Sequence, residues 1–407
     1  MTTRLYYDNS FLYNFVANIT RVSHDNGRIA LVLDRTAFYP TSGGQVYDTG
    51  WIDVDASGNS PKLRVNEVVE DEQSGEVLHY VDAAPDLSPA TRVRGFIDVE
   101  RRRDHMRQHS GQHVLSAAFE HLFKCSTVSF HMGEETCTID LEAKSITTEQ
   151  IRQAERLAND IIMEDRPVSM QFVTSDEGRA LGLRKIPPAE RDKLRLIDIR
   201  DFDLCACGGT HVRTTGQIGA ILVRKIEKVK QGVRVEFVCG ERAVKHSRRD
   251  FETLTEAAGL LSAHIWDLPQ QVRKSLDEIK AAQKAHARTL DELATLEAAR
   301  IVAATPDRNG LKLVTKVFAD RDLPSVKLLA QKMTKHSGVI ALLGSTQPPA
   351  AIVFAQSPGG AHDMGALMKR AMTECGGRGG GNRDIAQGGV PDTAKVQSLV
   401  DSLAREL

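Results

Sequence analysis

Short runs of apolar residues broken by turn signals occupy the first part of the chain. Asn14 to Val22 and Arg28 to Leu33 are rich in β-formers, and Asp25-Asn26-Gly27 between them is a hairpin signal. The pattern predicts a small β-barrel over residues 1–95. From Val99 the period lengthens to that of a helix, with His105, His109 and His113 at four-residue spacing, hence on one face, followed by Val114, Leu115, Ala118 and Phe119. A strand over Thr136 to Leu141 comes next, then a helix over about 149–164 with Ile151, Ala154, Leu157, Ala158 and Ile161 in register. Further strands near Met170 and through Ile218 to Val238 complete an expected α+β domain over 96–250.

Residues 268–304 predict one long amphipathic helix, with Val272, Leu276, Ile279, Leu290, Leu293 and Leu296 as its apolar stripe, inside a helical connector over 251–306 and suited to packing on a partner helix. The last segment, 307–407, alternates strands (Lys312 to Phe318, Gly338 to Leu343, Ala350 to Ala355) with helices (about 324–335, 362–374 and 392–406), the pattern of an α/β domain. The glycine-rich stretch Cys375 to Arg383 reads as a loop. The fold class expected for the whole is α+β.

Composition adds limits. The chain has 407 residues, 41% of them hydrophobic, enough for two or three packed domains. Lys+Arg 53 against Asp+Glu 54 leaves a net charge of -1, so contact with nucleic acid must come from a local basic patch. Six scattered cysteines with no signal peptide ahead of them argue for reduced thiols and a cytoplasmic location. The longest apolar runs, such as Val339 to Leu343, are too short to span a bilayer.

The candidate chemistry lies in two half-sites. His109-Ser-Gly-Gln-His113 puts two imidazoles one helical turn apart, and Cys207-Gly-Gly-Thr-His211 offers a thiolate and a third imidazole. Together they form a His₃Cys set, expected to hold one zinc ion per chain because thiolate and imidazole suit zinc better than the hard ions magnesium or calcium. Cys205, two residues before Cys207, competes as a ligand, and a buried structural thiol is the plainer reading of Cys207. Four protein ligands suit a closed, structural zinc, whereas a catalytic one keeps a position open. Ser110 stands where a zinc protease has its glutamate base, which disfavours a protease.

At these residues the chain resembles the freestanding alanyl-tRNA editing proteins, the AlaX group, and the editing domain of alanyl-tRNA synthetase. Phe38-Tyr-Pro-Thr-Ser-Gly-Gly-Gln45, Asp48-Thr-Gly50, Gly95-Phe-Ile-Asp98 before Arg101-Arg102-Arg103, and the two half-sites follow in the order of that family. Gly376-Gly-Arg-Gly-Gly-Gly381 with Ala386-Gln-Gly-Gly389 resembles the glycine-rich element ending the synthetases, which points to the long form of the editing proteins. The resemblance implies an editor that does not charge tRNA: a trans-acting deacylase of Ser-tRNA(Ala), and also of Gly-tRNA(Ala), cleaving the ester at the acceptor end.

The resemblance also assigns roles. Gly43, Gly44 and Gln45 on one side, and Gly208, Gly209 and Thr210 on the other, are expected to bind substrate, with Gln112 orienting the ester. Gln112 replaces a threonine of the synthetase pocket, and Val128-Ser-Phe-His131 lacks the synthetase's glutamine, so His131 either takes a catalytic polar role or is a surface histidine. Neither half-site carries an obvious carboxylate base, and the vicinal hydroxyl of the terminal ribose is the alternative proton carrier.

RNA contacts are expected at Arg101 and Arg102, and in 221–249, where nine Lys or Arg, including Arg224, Lys225, Lys228 and Lys230, face Glu227, Glu236, Glu241 and, at the edge, Asp250. A solvated face is the plain alternative. Arg378 and Arg383 beside the C-terminal glycines are expected to approach phosphates, or that segment pairs two copies of the chain. The rival functions are a structural-zinc tRNA-binding module without catalysis and a phosphoesterase. Against the latter, Asp104-His105-Met106 is not an Asp-His-His motif.

Overall fold

Strand alternation and turn placement close the first third of the chain on itself. The computed structural model describes residues 2–25, 27–54, 62–83, 87–181, 183, 193–230 and 232–407. A short parallel pair, β1 (Thr3–Arg4) with β4 (Arg35–Thr36), flanks a six-stranded barrel. The barrel strands are β2 (Asn14–Asp25), β3 (Arg28–Leu33), β5 (Gly50–Asp53), β6 (Lys62–Glu70), β7 (Val77–Val81) and β8 (Arg92–Ile97), in the closed order β2-β3-β7-β6-β5-β8.

Every second residue of β8 (Val93, Gly95, Ile97) is buried. Along β6 the buried set moves from Leu63 and Val65 to Val68, because a register shift against β7 between Val65 and Glu67 swaps the inward face. The barrel core gathers Phe15, Ile19, Leu31, Leu33, Phe38, Ile52 and Val65. Between β2 and β3 the expected hairpin is present, with Asn26 of its turn outside the described residues.

Asp98 accepts from Arg101 N–H and starts helix α1 (Val99–Phe123), which ends at Lys124 in the left-handed conformation. Then follow β9 (Thr127–Met132), β10 (Cys137–Leu141), α2 (Thr148–Met163), β11 (Val168–Thr174), α3 (Ser175–Ala180), β12 (Lys193–Ile199), β13 (Asp203–Ala206), β14 (Ile221–Val229) and β15 (Gly232–Cys239). They build two sheets, β14-β15-β10-β9 and β11-β12-β13. The apolar face of α1 (Val114, Leu115, Ala118, Phe119) joins Ile139, Val235 and Phe237 of the first sheet and Ile151, Ala154 and Ala158 of α2 in one core.

Barrel and α+β part form one compact unit, 1–256; the second unit is 257–407. Helix α4 (Glu241–Leu260), not singled out in the sequence, covers the stretch between them. In the second unit α5 (Leu268–Ala304) has the expected length, yet Leu276, Ile279, Leu293 and Leu296 are exposed. The face it buries is Ala294, Ala298 and Val302, because alanines allow close approach to α6 (Leu323–Met333).

The rest of this unit is β16 (Lys312–Phe318), β17 (Val339–Ser345), β18 (Ala351–Gln356), α7 (Met364–Cys375), β19 (Arg378–Gly381), β20 (Ile385–Gly389) and α8 (Lys395–Ala404). Its sheet order is β16-β17-β18-β20-β19, and only β16 and β17, linked by α6, are parallel. The expected α/β pattern is therefore corrected to a mixed sheet, since the short links after β17 and β19 reach only antiparallel neighbours.

The glycine-rich stretch is not a loop either. It forms the β19–β20 hairpin at the sheet edge, where a Cβ on Gly388 would lie 2.5 Å from the sulfur of Met372 on α7. There the glycines let helix and hairpin touch. Among the described residues no helix is long and apolar enough to cross a membrane.

Candidate metal centre

Helix α1 is buried on nearly every side although His105, Gln108, His109, Ser110, Gln112, His113 and Ser116 lie in its middle. Buried polar groups need partners: Gln108 donates to Asp104 and Cys239 O and Gln112 to Ser116, while His109, Ser110 and His113 turn toward one point. The ligand atoms of His109, His113, Cys207 and His211 all lie within 4.8 Å of one another. The His109 and His211 ring centroids are 4.7 Å apart, those of His113 and His211 4.8 Å. Nε2 of His109 is 3.2 Å and Nε2 of His211 3.4 Å from the Cys207 sulfur. Cys205 is buried but is not a member of the cluster.

Each ring is held from behind through Nδ1. His109 donates to Gln45 Oε1 at 2.8 Å, His113 to Asp203 Oδ2 at 3.3 Å, and His211 to Ser110 Oγ at 3.2 Å. These contacts point all three Nε2 atoms inward, the arrangement by which outer partners orient metal-bound histidines. Ser110 and Val212 link the half-sites, because the same hydroxyl accepts the Val212 N–H at 3.2 Å. The residues present thus fit a divalent ion that takes nitrogen and sulfur.

The electrostatics agree. Burial alone would push the Cys207 thiol up, but the surrounding imidazoles of His109, His211 and His113 outweigh it and hold the thiol well below its ordinary value. Burial lowers His211 to about 3, while for His113 the Cys207 thiolate and Asp203 overcome burial and raise it to about 9. Arg195 stabilises the turn carrying Cys207: its guanidinium donates to Cys207 O at 2.8 Å and to Gly209 O at 2.9 Å. Asp203, Ser110 and Arg195 carry no motif signal. Asp203 and Arg195 reach the site only because β12 and β13 pair.

Several expected substrate groups are taken up by this scaffold. Gln45 is fully buried: Oε1 accepts from His109 and from Thr210 N–H at 3.1 Å, and Nε2 donates to Thr210 Oγ1 at 2.9 Å. Gln45 and Thr210 are therefore supports for His109, not groups facing a substrate. A Cβ on Gly209 would come within 2.2 Å of the His109 ring, so this position is glycine to let the imidazole in. Gly44 (φ +83) presses on β9, where a Cβ would meet Phe130 O at 2.3 Å, and its own carbonyl accepts from Met132 N–H. Gly43 has open space around it, and a Cβ on Gly208 would have only the Tyr7 ring in ordinary contact.

The Gln112 amide donates to Ser116 Oγ one turn on. Strand alternation turns His131 away from the cluster: its neighbour Phe130 touches His109, with ring centroids 5.4 Å apart, and exposed His131 lines a separate cleft of about 770 Å³ with His105 and Arg101. Arg102 is corrected outright. It is completely buried in an ion pair with Asp48 and donates to Ala37 O and Ser10 O, so it joins α1 to the barrel and cannot reach a phosphate.

In the basic stretch, Arg224 is paired with Asp250 and Lys225 with Glu227, whereas Lys228 and Lys230 have no ion pair among the described residues and line a shallow hollow with Lys144. In the second unit Arg378 is exposed at the start of β19, and Arg383 donates to Gly360 O.

Comparison with known proteins places this geometry. Residues 194–235 match the model of the threonyl and alanyl tRNA synthetase second additional domain, residues 4–101 that of class II (A) tRNA synthetases, and residues 310–407 the DHHA1 domain. The alanine–tRNA ligase of Pyrococcus abyssi is 31% identical over 421 residues, covering 100% of this chain and 44% of the ligase. That of Archaeoglobus fulgidus is 31% identical over 416 residues, with the same coverage. The chain thus spans less than half the length of these ligases. The alanyl-tRNA editing protein AlaX-L of Pyrococcus horikoshii is 28% identical over 410 residues, covering 100% of this chain and 98% of that protein. With its ordered motifs and the His₃Cys cluster that joins them among the described residues, the chain is similar, almost end to end, to an alanyl-tRNA editing protein and to the matching part of the alanine–tRNA ligases.

Proposed function

We propose that this chain is a zinc-dependent deacylase that removes serine, and also glycine, from mischarged tRNA(Ala), acting in trans. The observation that carries this reading is the inward convergence of three imidazoles and one thiolate, each imidazole oriented by its own partner. The match with a protein named as an alanyl-tRNA editing protein supports mischarged alanine tRNA as the substrate class.

His109, His113 and His211, through Nε2, and the Cys207 thiolate would hold the ion. Bound there, zinc supplies a positive charge that favours developing charge on an ester oxygen and eases deprotonation of water. Gln45, Asp203 and Ser110 keep the rings in place for that charge. Gly43, with open space around it, and Gly208 are the glycines left to meet the aminoacyl group. Asp203 is the carboxylate hydrogen-bonded to the cluster and it is engaged by His113, so proton transfer falls to the vicinal hydroxyl of the terminal ribose. Discrimination follows from hydrogen bonding: a site that pairs with the serine hydroxyl is left unsatisfied by alanine.

The test is deacylation of Ser-tRNA(Ala), Gly-tRNA(Ala) and Ala-tRNA(Ala) by the intact chain, by metal-stripped protein and by His113→Ala. Loss of serine that depends on zinc and spares alanine supports the reading. No hydrolysis by the zinc-loaded chain supports instead a tRNA-binding module with structural zinc, which the closed four-ligand set favours. Slow hydrolysis of a terminal 2′-deoxy or 3′-deoxy substrate supports the ribose hydroxyl; an ordinary rate removes it.

A further inference from the structure

We infer that a cleft between the barrel edge and α1, built around Phe11, Arg103, Arg107 and Arg213, binds the single-stranded end of an RNA beside the metal cluster. The inference deepens the proposed function, on which the identity of the RNA rests.

The cleft has a volume of about 240 Å³ and is lined by Phe11, Arg103, Met106, Arg107, Val212 and Gln217, with no carboxylate. A second hollow of about 130 Å³ shares Phe11 and Val212 with it and is also lined by Arg195, Arg213 and His211. The two hollows share Phe11 and Val212 as walls, and His211, which lines the second, belongs to the metal cluster. Asp8 is the acid in the second hollow. Arg103, Arg107 and Arg213 thus face one carboxylate across two hollows with a common wall, the second of them lined by a metal-cluster residue.

Arginine and aromatic side chains pack together around these hollows. The Arg213 guanidinium lies 4.3 Å from the centroid of the Phe11 ring, and that of Arg103 5.7 Å from the centroid of the Tyr13 ring. The Phe11 and Tyr13 rings are themselves 6.3 Å apart, edge to face. No ion pair neutralises Arg103 or Arg213 among the described residues, and Arg107 meets Glu241 only at 4.0 Å, where Glu241 is also held by Lys245. By contrast Arg224 and Lys225, in the basic stretch, are closely paired.

Unpaired guanidinium groups attract a phosphate backbone, and ring or guanidinium planes stack on bases. Bases inside a duplex are covered by their neighbours, so such planes fit unstacked nucleotides. The larger cleft beside His131 is mixed in charge, with Glu100, Asp104, Glu134, Glu135 and Glu241 set against Arg101, Arg242, Lys245 and Arg249, and is the poorer fit for a phosphate backbone.

The experiment uses the full chain and a labelled RNA hairpin with a four-nucleotide single-stranded 3′ tail, read by fluorescence anisotropy across a salt series. The variants are Arg107→Glu with Arg213→Glu, Phe11→Ala, and Lys144→Glu in the separate hollow of the basic stretch, with Arg213→Gln as a milder change and thermal melting with metal content as the check of folding. The expected result is that the double reversal weakens binding at least tenfold and lowers the slope of log affinity against log salt by more than one, about 0.7 per lost phosphate contact on a single strand. Phe11→Ala should weaken binding roughly tenfold, and Arg213→Gln should cost part of the affinity. Lys144→Glu should leave binding as it was.

Unchanged affinity in the folded double variant, or a loss as large in Lys144→Glu, overturns the inference. Deacylation by the wild-type chain, measured alongside, separates the two readings. Binding through this cleft without hydrolysis removes the catalytic proposal alone; hydrolysis with RNA binding indifferent to these variants removes the cleft alone.

Discussion

The amide oxygen of Gln45 lies 2.8 Å from Nδ1 of His109, joining a barrel loop to a helix 64 positions later in the chain. This bond makes the barrel part of the metal centre, because the same amide also engages both the backbone and the hydroxyl of Thr210 in the second half-site. Replacing Gln45 by Ala should lower metal affinity by roughly 10- to 100-fold, as loss of an outer partner of a metal-bound histidine does. Competition with a chromogenic zinc chelator measures it, and wild-type affinity in the variant would show that the bond does not orient His109.

Gly209 and Gly43 should respond differently to alanine. A methyl at 209 meets the His109 ring at 2.2 Å, and no rotation of the methyl avoids it, so Gly209→Ala should lose metal while the barrel stays folded. At Gly43 (φ +56) there is open space, and the cost should be only the left-handed backbone strain of about 1 kcal/mol. Metal content by mass spectrometry and melting curves separate the two; equal metal content in both proteins contradicts the close approach.

Arg102→Leu should be severely destabilising, by about 3–5 kcal/mol, because it leaves the Asp48 carboxylate charged and alone in the interior. Restoring neutrality with Asp48→Asn in the same chain should recover part of the loss. Urea unfolding reads both. A small effect of Arg102→Leu on stability would mean that the residue acts elsewhere.

Acid should weaken the barrel through His79. Burial lowers its imidazole from 6.5 to about 4, with Nδ1 on Leu31 O and Nε2 on Thr36 Oγ1. Above pH 6.5 the imidazole is neutral in both states and its contribution is intact. Between 6.5 and about 4 only the unfolded chain takes up the proton, so stability falls with pH at up to about 1.4 kcal/mol per unit, some 3 kcal/mol in all, and the slope flattens below. In His79→Asn the melting temperature should start lower at pH 7 and fall less steeply from pH 7 to 4.5; an unaltered slope would assign the acid sensitivity to other groups.

Much of this was legible in the sequence for a local reason. Strand alternation, helical spacing and turn residues act over a few positions, so the barrel, α1, α2, α5 and most elements of the last hundred residues follow from the pattern of the chain itself. The four candidate ligands were legible because a helical turn brings His109 to His113, and two half-sites of nitrogen and sulfur donors call for one another.

Tertiary structure alone decided what surrounds them. Asp203, Ser110 and Arg195 serve the site through pairings far apart in sequence, and a lone aspartate, serine or arginine carries no signal of such a pairing. Gln45 and Thr210 were expected at the substrate from the family resemblance, and Arg102 at RNA from its charge, readings that take such side chains to be exposed. Burial reverses that meaning, since a buried amide or guanidinium must satisfy its neighbours, and burial is a property of the packed chain. The mixed sheet of the second unit was hidden likewise: periodicity marks a strand, but the length of the links and the neighbours they can reach decide its direction.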